Sequence, residues 1–408
     1  MKIDLNDKEF IQNPHPTLEE LRKINPIYHY ENDSILVTSY KECSELLKRK
    51  EIGFPEIKTG VQESWFSLLN KKDLQSLTLQ IKKCNSFNLD TLAFKNVPEH
   101  TRLKKLFLKA FRKTAIDELH DAIEKICDDL IIELKNKKEI EVVQDFCMPF
   151  TNNVILYLMG YNGEDGNYLR KLSIALLDSM NIHLTTEEKK KGIESKILWA
   201  KKIKEIFDNP SLLSNDGLLH YLRNKIASGD LSEDEFTSNA ALLIMAGQET
   251  TQSYITSCIY YFLKHNISPE ENMIAKGMQE VLRLEPPNLY ITKFVRENFE
   301  YEGIQFTKGS KVHFFLAAAN RDDKIFKQNN DFVINREDNP HISFGSGVHY
   351  CIGSFLALKE TKIALQKLFQ HFPYLKLKEE KVLWSDSIRI RGLQNLFLIN
   401  EAGESDLH

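Results

Sequence analysis

The sequence predicts a mainly α fold with a smaller β region, and three observations predict it. Residues from about Thr101 to Leu263 carry apolar side chains at three- and four-residue intervals, the spacing that lines one face of a helix. The runs YITKF, YEGIQF and KVHFFL, starting at Tyr290, Tyr301 and Lys311, then read as strands parted by turns. The two patterns stay apart along the chain instead of alternating as β-α-β units or recurring as a solenoid.

Taken in order, a short helix from about Leu18 precedes two strands, IYHYE and SILVTS, which flank a turn signal at Asn32-Asp33. The long helical region follows. Within it, a helix from roughly Glu233 to Leu263 contains AGQETT, Ala246 to Thr251, where Gly247 and Thr250 predict a local bend. Another helix ends near Leu284 and leads into the strands. A last helix is expected from about Ile352 to Phe372, and IRIRGLQNLFLI reads as a closing hairpin. No linker, low-complexity run or repeat interrupts the 408 residues, so 1–408 is read as one large domain.

Composition narrows the function. Hydrophobic residues make up 42% and charged residues 27%, as in ordinary globular proteins, and the net charge of -4 argues against general nucleic-acid binding. The N-terminus is charged throughout, and no segment approaches the roughly 18 apolar residues of a membrane span, so a cytoplasmic protein is expected. Six cysteines, Cys43, Cys84, Cys127, Cys147, Cys258 and Cys351, lie far apart without a C-x-x-C pair, which indicates neither a disulfide framework nor a four-cysteine zinc site. Only Cys351 has suggestive neighbours; the others read as buried apolar positions.

Those neighbours form SFGSGVHYCIGSFLALKE, Ser343 to Glu360. A dinucleotide loop would need a third glycine where Tyr350 stands, and zinc would need more ligands than His349 and Cys351 offer. Two readings stay open on the loop alone. One is a buried cysteine in a glycine turn. The other is a single thiolate presented to a flat cofactor at a helix start, where backbone N–H groups and the helix dipole favour the anion.

The pattern F-G-x-G-x-H-x-C-x-G, Phe344 to Gly353, resembles the haem-binding loop of the cytochrome P-450 superfamily, with every fixed position filled. Other family marks follow in the family's order. AGQETT resembles its acid-threonine motif, QEVLRLEPP with DFVINRED resembles its Glu-Arg-Arg network, and PEHTRLKKLFLKAFR is similar to a helix that crosses the thiolate side of the haem. With NPIYHY, AAANRDD and RGLQNL the resemblance runs from about Pro16 to Leu398.

The resemblance implies a single-domain cytochrome P-450 fold, with haem b between the acid-threonine helix and the cysteine-loop helix and Cys351 as the axial iron ligand. It implies proton delivery by Glu249 and Thr250, and folding support from Glu280, Arg283 and Arg336. Haem contacts are implied for His100, Lys104, Lys293, His341, Phe344, Gly345, His349, Gly353 and Ala246. Lys104 and Lys293 stand where arginine is usual; they keep the charge but not the bidentate fork. Leu242, Leu243, Ala246, Leu289, Tyr290, Ile291 and Leu393 are expected to line a substrate pocket, together with the connection before Pro98 and the stretch from Leu172 to His183.

The implied activity is a monooxygenase that inserts one atom of O2 into a C–H or C=C bond of a small, largely hydrophobic or carrier-protein-bound substrate, as in secondary metabolism. No flavin or iron-sulfur module is seen, so electrons are expected from an external ferredoxin or flavodoxin and its reductase, with NAD(P)H acting indirectly. Lys104, Lys105, Lys109, Arg112 and Lys113 would steer such an acidic partner. A peroxide-dependent enzyme or isomerase of the same fold is the nearest alternative, disfavoured by the Glu249-Thr250 pair, and a haem sensor or carrier is the next.

Overall fold

A buried guanidinium organises the part of the chain that carries the cysteine loop. In the computed structural model, which describes residues 3–5, 7–31, 34–55, 91–178, 185–379 and 382–401, Arg283 is fully buried. All five of its N–H donors are used. Nε and Nη2 bond the two oxygens of Glu280 at 2.9 and 2.8 Å, and the remaining donors reach the carbonyls of Asn320, Asn329 and Asp331. Arg336 binds the same carboxylate from the other side at 3.1 Å. Burial by itself would raise the pKa of Glu280, but the hydrogen bonds from Arg283 and Arg336 outweigh it and hold the carboxyl below its usual range.

The elements follow in chain order. Helices α1 (Lys8–Gln12) and α2 (His15–Ile24) lead into strands β1 (Ile27–Tyr30) and β2 (Ser34–Val37), then α3 (Tyr40–Leu46) and β3 (Ile52–Gly53). Next come α4 (Glu99–Phe111), α5 (Lys113–Glu118), α6 (His120–Leu134), β4 (Glu139–Glu141), α7 (Met148–Met159), α8 (Gly166–Asp178), α9 (Thr186–Asp208) and α10 (Leu218–Ala227). The longest helix is α11 (Glu233–Lys264), followed by α12 (Glu271–Leu284). Strands β5 (Ile291–Val295), β6 (Phe299–Tyr301), β7 (Ile304–Phe306) and β8 (Lys311–Phe314) precede α13 (Leu316–Ala319) and α14 (Ser354–His371). The chain closes with β9 (Leu375–Leu377), β10 (Leu383–Trp384), β11 (Leu393–Asn395) and β12 (Phe397–Asn400). The Asn32-Asp33 turn and Cys84 lie outside the described residues.

Two compact units can be distinguished: Met1–Phe54 with Phe111–Thr151 and Thr250–His408, and Pro55–Ala110 with Asn152–Glu249. The first contains every described strand. Its main sheet has the order β1-β2-β8-β5-β3, with β2 and β8 parallel and the other pairs antiparallel. One face of that sheet buries Ile35, Val37, Val295, Val312 and Phe314 with Leu46 and Leu316, which fixes the register because a one-residue slip would turn this set outward. The second unit is helical in its described residues apart from an isolated bridge between Tyr161 and Leu213. In it α7 and α11 approach so closely that a Cβ on Gly247 would lie 2.9 Å from Ile155.

Three expectations are corrected. YEGIQF is a hairpin rather than a strand, because Glu302 and Gly303 adopt φ of 50° and 79° and turn β6 back onto β7. IRIRGLQNLFLI is not a hairpin: β11 pairs with β10, whereas β12 pairs with β4 and β9 in a separate sheet. The helical stretch also hides β4, three residues long and too short to show alternation, which exists by its pairing with β12. As for Gly247, α-helix runs through it without a break, and its close contact with Ile155 accounts for the glycine.

Replacing Arg283 with methionine would leave a buried carboxylate and three carbonyls short of partners. Such a loss costs roughly 3–5 kcal/mol. Urea denaturation followed by far-UV circular dichroism should show a destabilisation of that order; a change within experimental error would mean that the network is dispensable.

Candidate active site

The cysteine loop is built by local backbone geometry and hung from the network above. The Asn320 side chain accepts from the Ile342 N–H at 2.9 Å and donates to Ser343 Oγ at 2.8 Å, and that hydroxyl donates to the Leu282 carbonyl at 2.6 Å. Gly345 and Gly347 then adopt φ of 75° and 70°, the left-handed region that favours glycine. At Gly347 a Cβ would also lie 3.1 Å from the Leu47 carbonyl oxygen. The Cys351 N–H closes the loop onto the Phe344 carbonyl at 3.0 Å. Cys351 is thereby exposed, in no disulfide, two residues before the Gly353 cap of α14, whereas Cys43, Cys127, Cys147 and Cys258 are buried.

On α11, residues 236–241 and 251–259 are all buried, and between them one face opens. Leu242 is half-buried, Ala246 exposed, and Glu249 and Thr250 half-buried, at spacings of four, three and four residues. Glu249 forms an ion pair with Arg170 of α8, Nη2 to Oε1 2.5 Å, in which the two side chains are 18% and 6% exposed. Burial raises the pKa of Glu249, the positive charge of Arg170 opposes the rise, and Asp178 adds to it. The net direction is upward, so the carboxyl holds its proton to a higher pH than an ordinary glutamate. Thr251, the last residue of AGQETT, bonds the buried Glu360 of α14.

Residues 273–389 match the family model described as Cytochrome P450. Over 95% of this chain and 96% of its own, the polyketide biosynthesis cytochrome P450 PksS of Bacillus subtilis is 30% identical. The chain belongs to the cytochrome P450 family. The 6-deoxyerythronolide B hydroxylase of Saccharopolyspora erythraea is 28% identical over 96% of this chain and 95% of its own. Among solved structures, P450BioI in complex with a hexadec-9Z-enoic acid ligated acyl carrier protein superposes with a TM-score of 0.84 at 26% identity, covering 96% of this chain and 99% of that one. The mainly α architecture is therefore the cytochrome P450 fold. Cytochrome P450s are monooxygenases that use haem b and O2, with electrons from NAD(P)H passed through partner proteins, and this chain is an enzyme of that family.

The residues present fit a haem. Besides the exposed thiol of Cys351, the first unit contains Lys293, which is 7% exposed, with Nζ 4.0 Å from the centre of the Phe54 ring. No carboxylate pairs with it among the described residues. The ring of His349 meets Phe54 edge-on at 5.7 Å, which brings the lysine and the cysteine loop to one aromatic side chain. In the second unit, His100 is buried and Lys104 half-buried, one turn apart on the same face of α4.

His341 is placed differently from expectation. Its Nε2–H donates to Gln279 at 2.9 Å and its Nδ1 faces the Ser343 N–H. Burial, reinforced by the charge of Arg283, pulls its pKa down to about 4. A propionate contact would require it to give up the Gln279 bond. Leu289, Tyr290 and Leu393 are each at most 2% exposed, and the Tyr290 ring packs on His313 and Phe315. Ile291, next in the strand, is half-buried, as are Phe344, Gly345 and Gly353 in the loop. Residues 56–90 and 179–184, which cover much of the expected lining, lie outside the described residues. Arg170, Phe54 and Gln279 were not legible in the sequence, since each acquires its role from a partner distant in the chain.

Replacing Arg170 with methionine removes the positive charge that holds Glu249 down. The carboxyl should then titrate at higher pH, read from its protonated C=O infrared stretch after subtraction of a Glu249→Gln spectrum. An unshifted titration would show that Arg170 does not govern this acid.

Proposed function

We propose that the chain is a haem-thiolate monooxygenase that inserts one atom of O2 into a C–H or C=C bond of a largely hydrophobic substrate, in a tailoring step of secondary metabolism. The observation that carries this reading is the exposed Cys351, delivered by two left-handed glycines to the start of α14. Haem b, when bound, supplies the iron at which O2 is activated, and a thiolate ligand favours O–O cleavage.

The chain's own residues supply the surroundings. Cys351 would supply the thiolate that holds the haem iron, its negative charge favoured by the N-terminal end of α14. Phe344, Gly345, His349 and Gly353 shape the cradle, and Lys293, with His100 and Lys104, would meet the propionates. Ala246 keeps the open face of α11 free of bulk. Glu249, with its raised pKa, can hold a proton at higher pH than an ordinary carboxyl, and the Thr250 hydroxyl can both accept and donate one. Glu280, Arg283 and Arg336 act through folding. Residues 1–408 would work as one catalytic domain.

The relatives support the substrate class. They act in polyketide and biotin biosynthesis, hydroxylate 6-deoxyerythronolide B, or form a complex with a fatty-acid-ligated acyl carrier protein. We assign this chain a hydrophobic acyl or polyketide-like substrate, free or carrier-bound. Among the described residues no helix is long and apolar enough to cross a membrane. Electrons would come from a ferredoxin or flavodoxin and its reductase. Lys105 and Arg112 are exposed cations suited to an acidic partner, whereas Lys113 is paired with Asp117 at 2.8 Å and Lys109 rests on the Tyr221 ring.

The dithionite-reduced protein under carbon monoxide should show the strongly red-shifted Soret band of thiolate-ligated haem, and Cys351→Ser should abolish it. A band typical of histidine ligation would remove the basis of this reading. Thr250→Ala should keep the haem and lower product formed per electron several-fold, measured as product against NAD(P)H consumed. Charge reversal at Arg112 should slow reduction by the partner more than reversal at Lys113, whose charge is already neutralised.

A further inference from the structure

Lys293 is a buried cation in the main sheet. Alternation along β5 puts its side chain on the same face as Ile291 and Val295, with Val312 of β8 opposite, so an ammonium shares a face with apolar core residues. Phe54 follows β3 and covers it at 4.0 Å. A ring face returns only part of the solvation that a buried cation loses. Burial accordingly pulls the Lys293 pKa down to about 7 from its usual 10.5.

Among the described residues the surrounding charges do not compensate. His349 of the cysteine loop faces Phe54. On β8, Lys311 is exposed, and His313 points to the other face of the sheet, where it bonds Thr292. Arg296, beyond the end of β5, is turned to the Lys50 carbonyl. Glu51 beside β3 is committed to Arg49 at 2.8 Å. Each of these groups is neutral, cationic or already paired.

We propose that Lys293 takes up its proton as a haem propionate reaches it, so that cofactor binding and the charging of this side chain are one coupled event. The inference rests on the haem reading above and goes beyond it. The family's usual arginine could not behave this way, because a guanidinium is charged in both states. With lysine the anchor is complete only once the anion has arrived.

Linkage sets the sign. Contact with a carboxylate raises the lysine pKa above its haem-free value, so binding takes up a proton. The added affinity is fully present below about pH 7 and is lost as the pH rises toward the bound-state value.

The test is the equilibrium partition of haem between the full-length holo-protein and apomyoglobin, read by absorbance from about pH 6 to about pH 9. Wild type, Lys293→Arg and Lys293→Met are compared. Taking ratios to wild type cancels the pH responses of apomyoglobin, Cys351, His349 and the propionates themselves. The wild-type-to-arginine ratio should be flat below about pH 7 and fall by about tenfold for each pH unit above it. The wild-type-to-methionine ratio should fall toward one over the same range, and it decides alone if arginine cannot be accommodated. Ratios that stay flat across the range, with haem bound by the wild type, overturn the proposal. A wild type that holds no haem at any pH overturns the cofactor reading instead.

Discussion

The saturated guanidinium of Arg283 is the interaction on which the site depends. Its bond to the Asn320 carbonyl fixes the residue whose side chain then holds Ile342 and Ser343, and from Ser343 the loop runs to Cys351. An exposed cysteine on this loop needs such support, because glycines at 345 and 347 give the backbone freedom as well as the required left-handed conformation. The buried network removes that freedom on one side, and helix α14 removes it on the other.

Helix α11 shows a second balance, between closing a core and leaving a working face. Long runs of it are buried, polar Ser238, Asn239, Thr256 and Ser257 among them, and the face opens at Ala246, Glu249 and Thr250. Burial and Arg170 pull the Glu249 carboxyl in opposite directions, and burial prevails. An acid tuned in this way is suited to proton transfer, because it keeps its proton to higher pH while remaining close to a charged partner that can take up part of the negative charge when it leaves.

Buried charge in the first unit is of two kinds. The Glu280 network is paired within the protein and is complete without a ligand. Lys293 pairs with no carboxylate among the described residues and meets the Phe54 ring instead. Lysine is the residue for which this difference matters, since its ammonium can shed its charge when buried.

The sequence by itself determined what depends on neighbours along the chain. Helical periodicity placed α11, α12 and α14, and the spacing of glycines, histidine and cysteine marked the loop, because left-handed turns and helix starts are local properties of the backbone. The tertiary structure decided the pairings. It joined Arg170 to Glu249, gave His341 to Gln279, sent β11 and β12 into different sheets, and buried Lys293 against Phe54. The physical reason is that such contacts link residues remote in sequence, whose distance and desolvation exist only after the chain has packed.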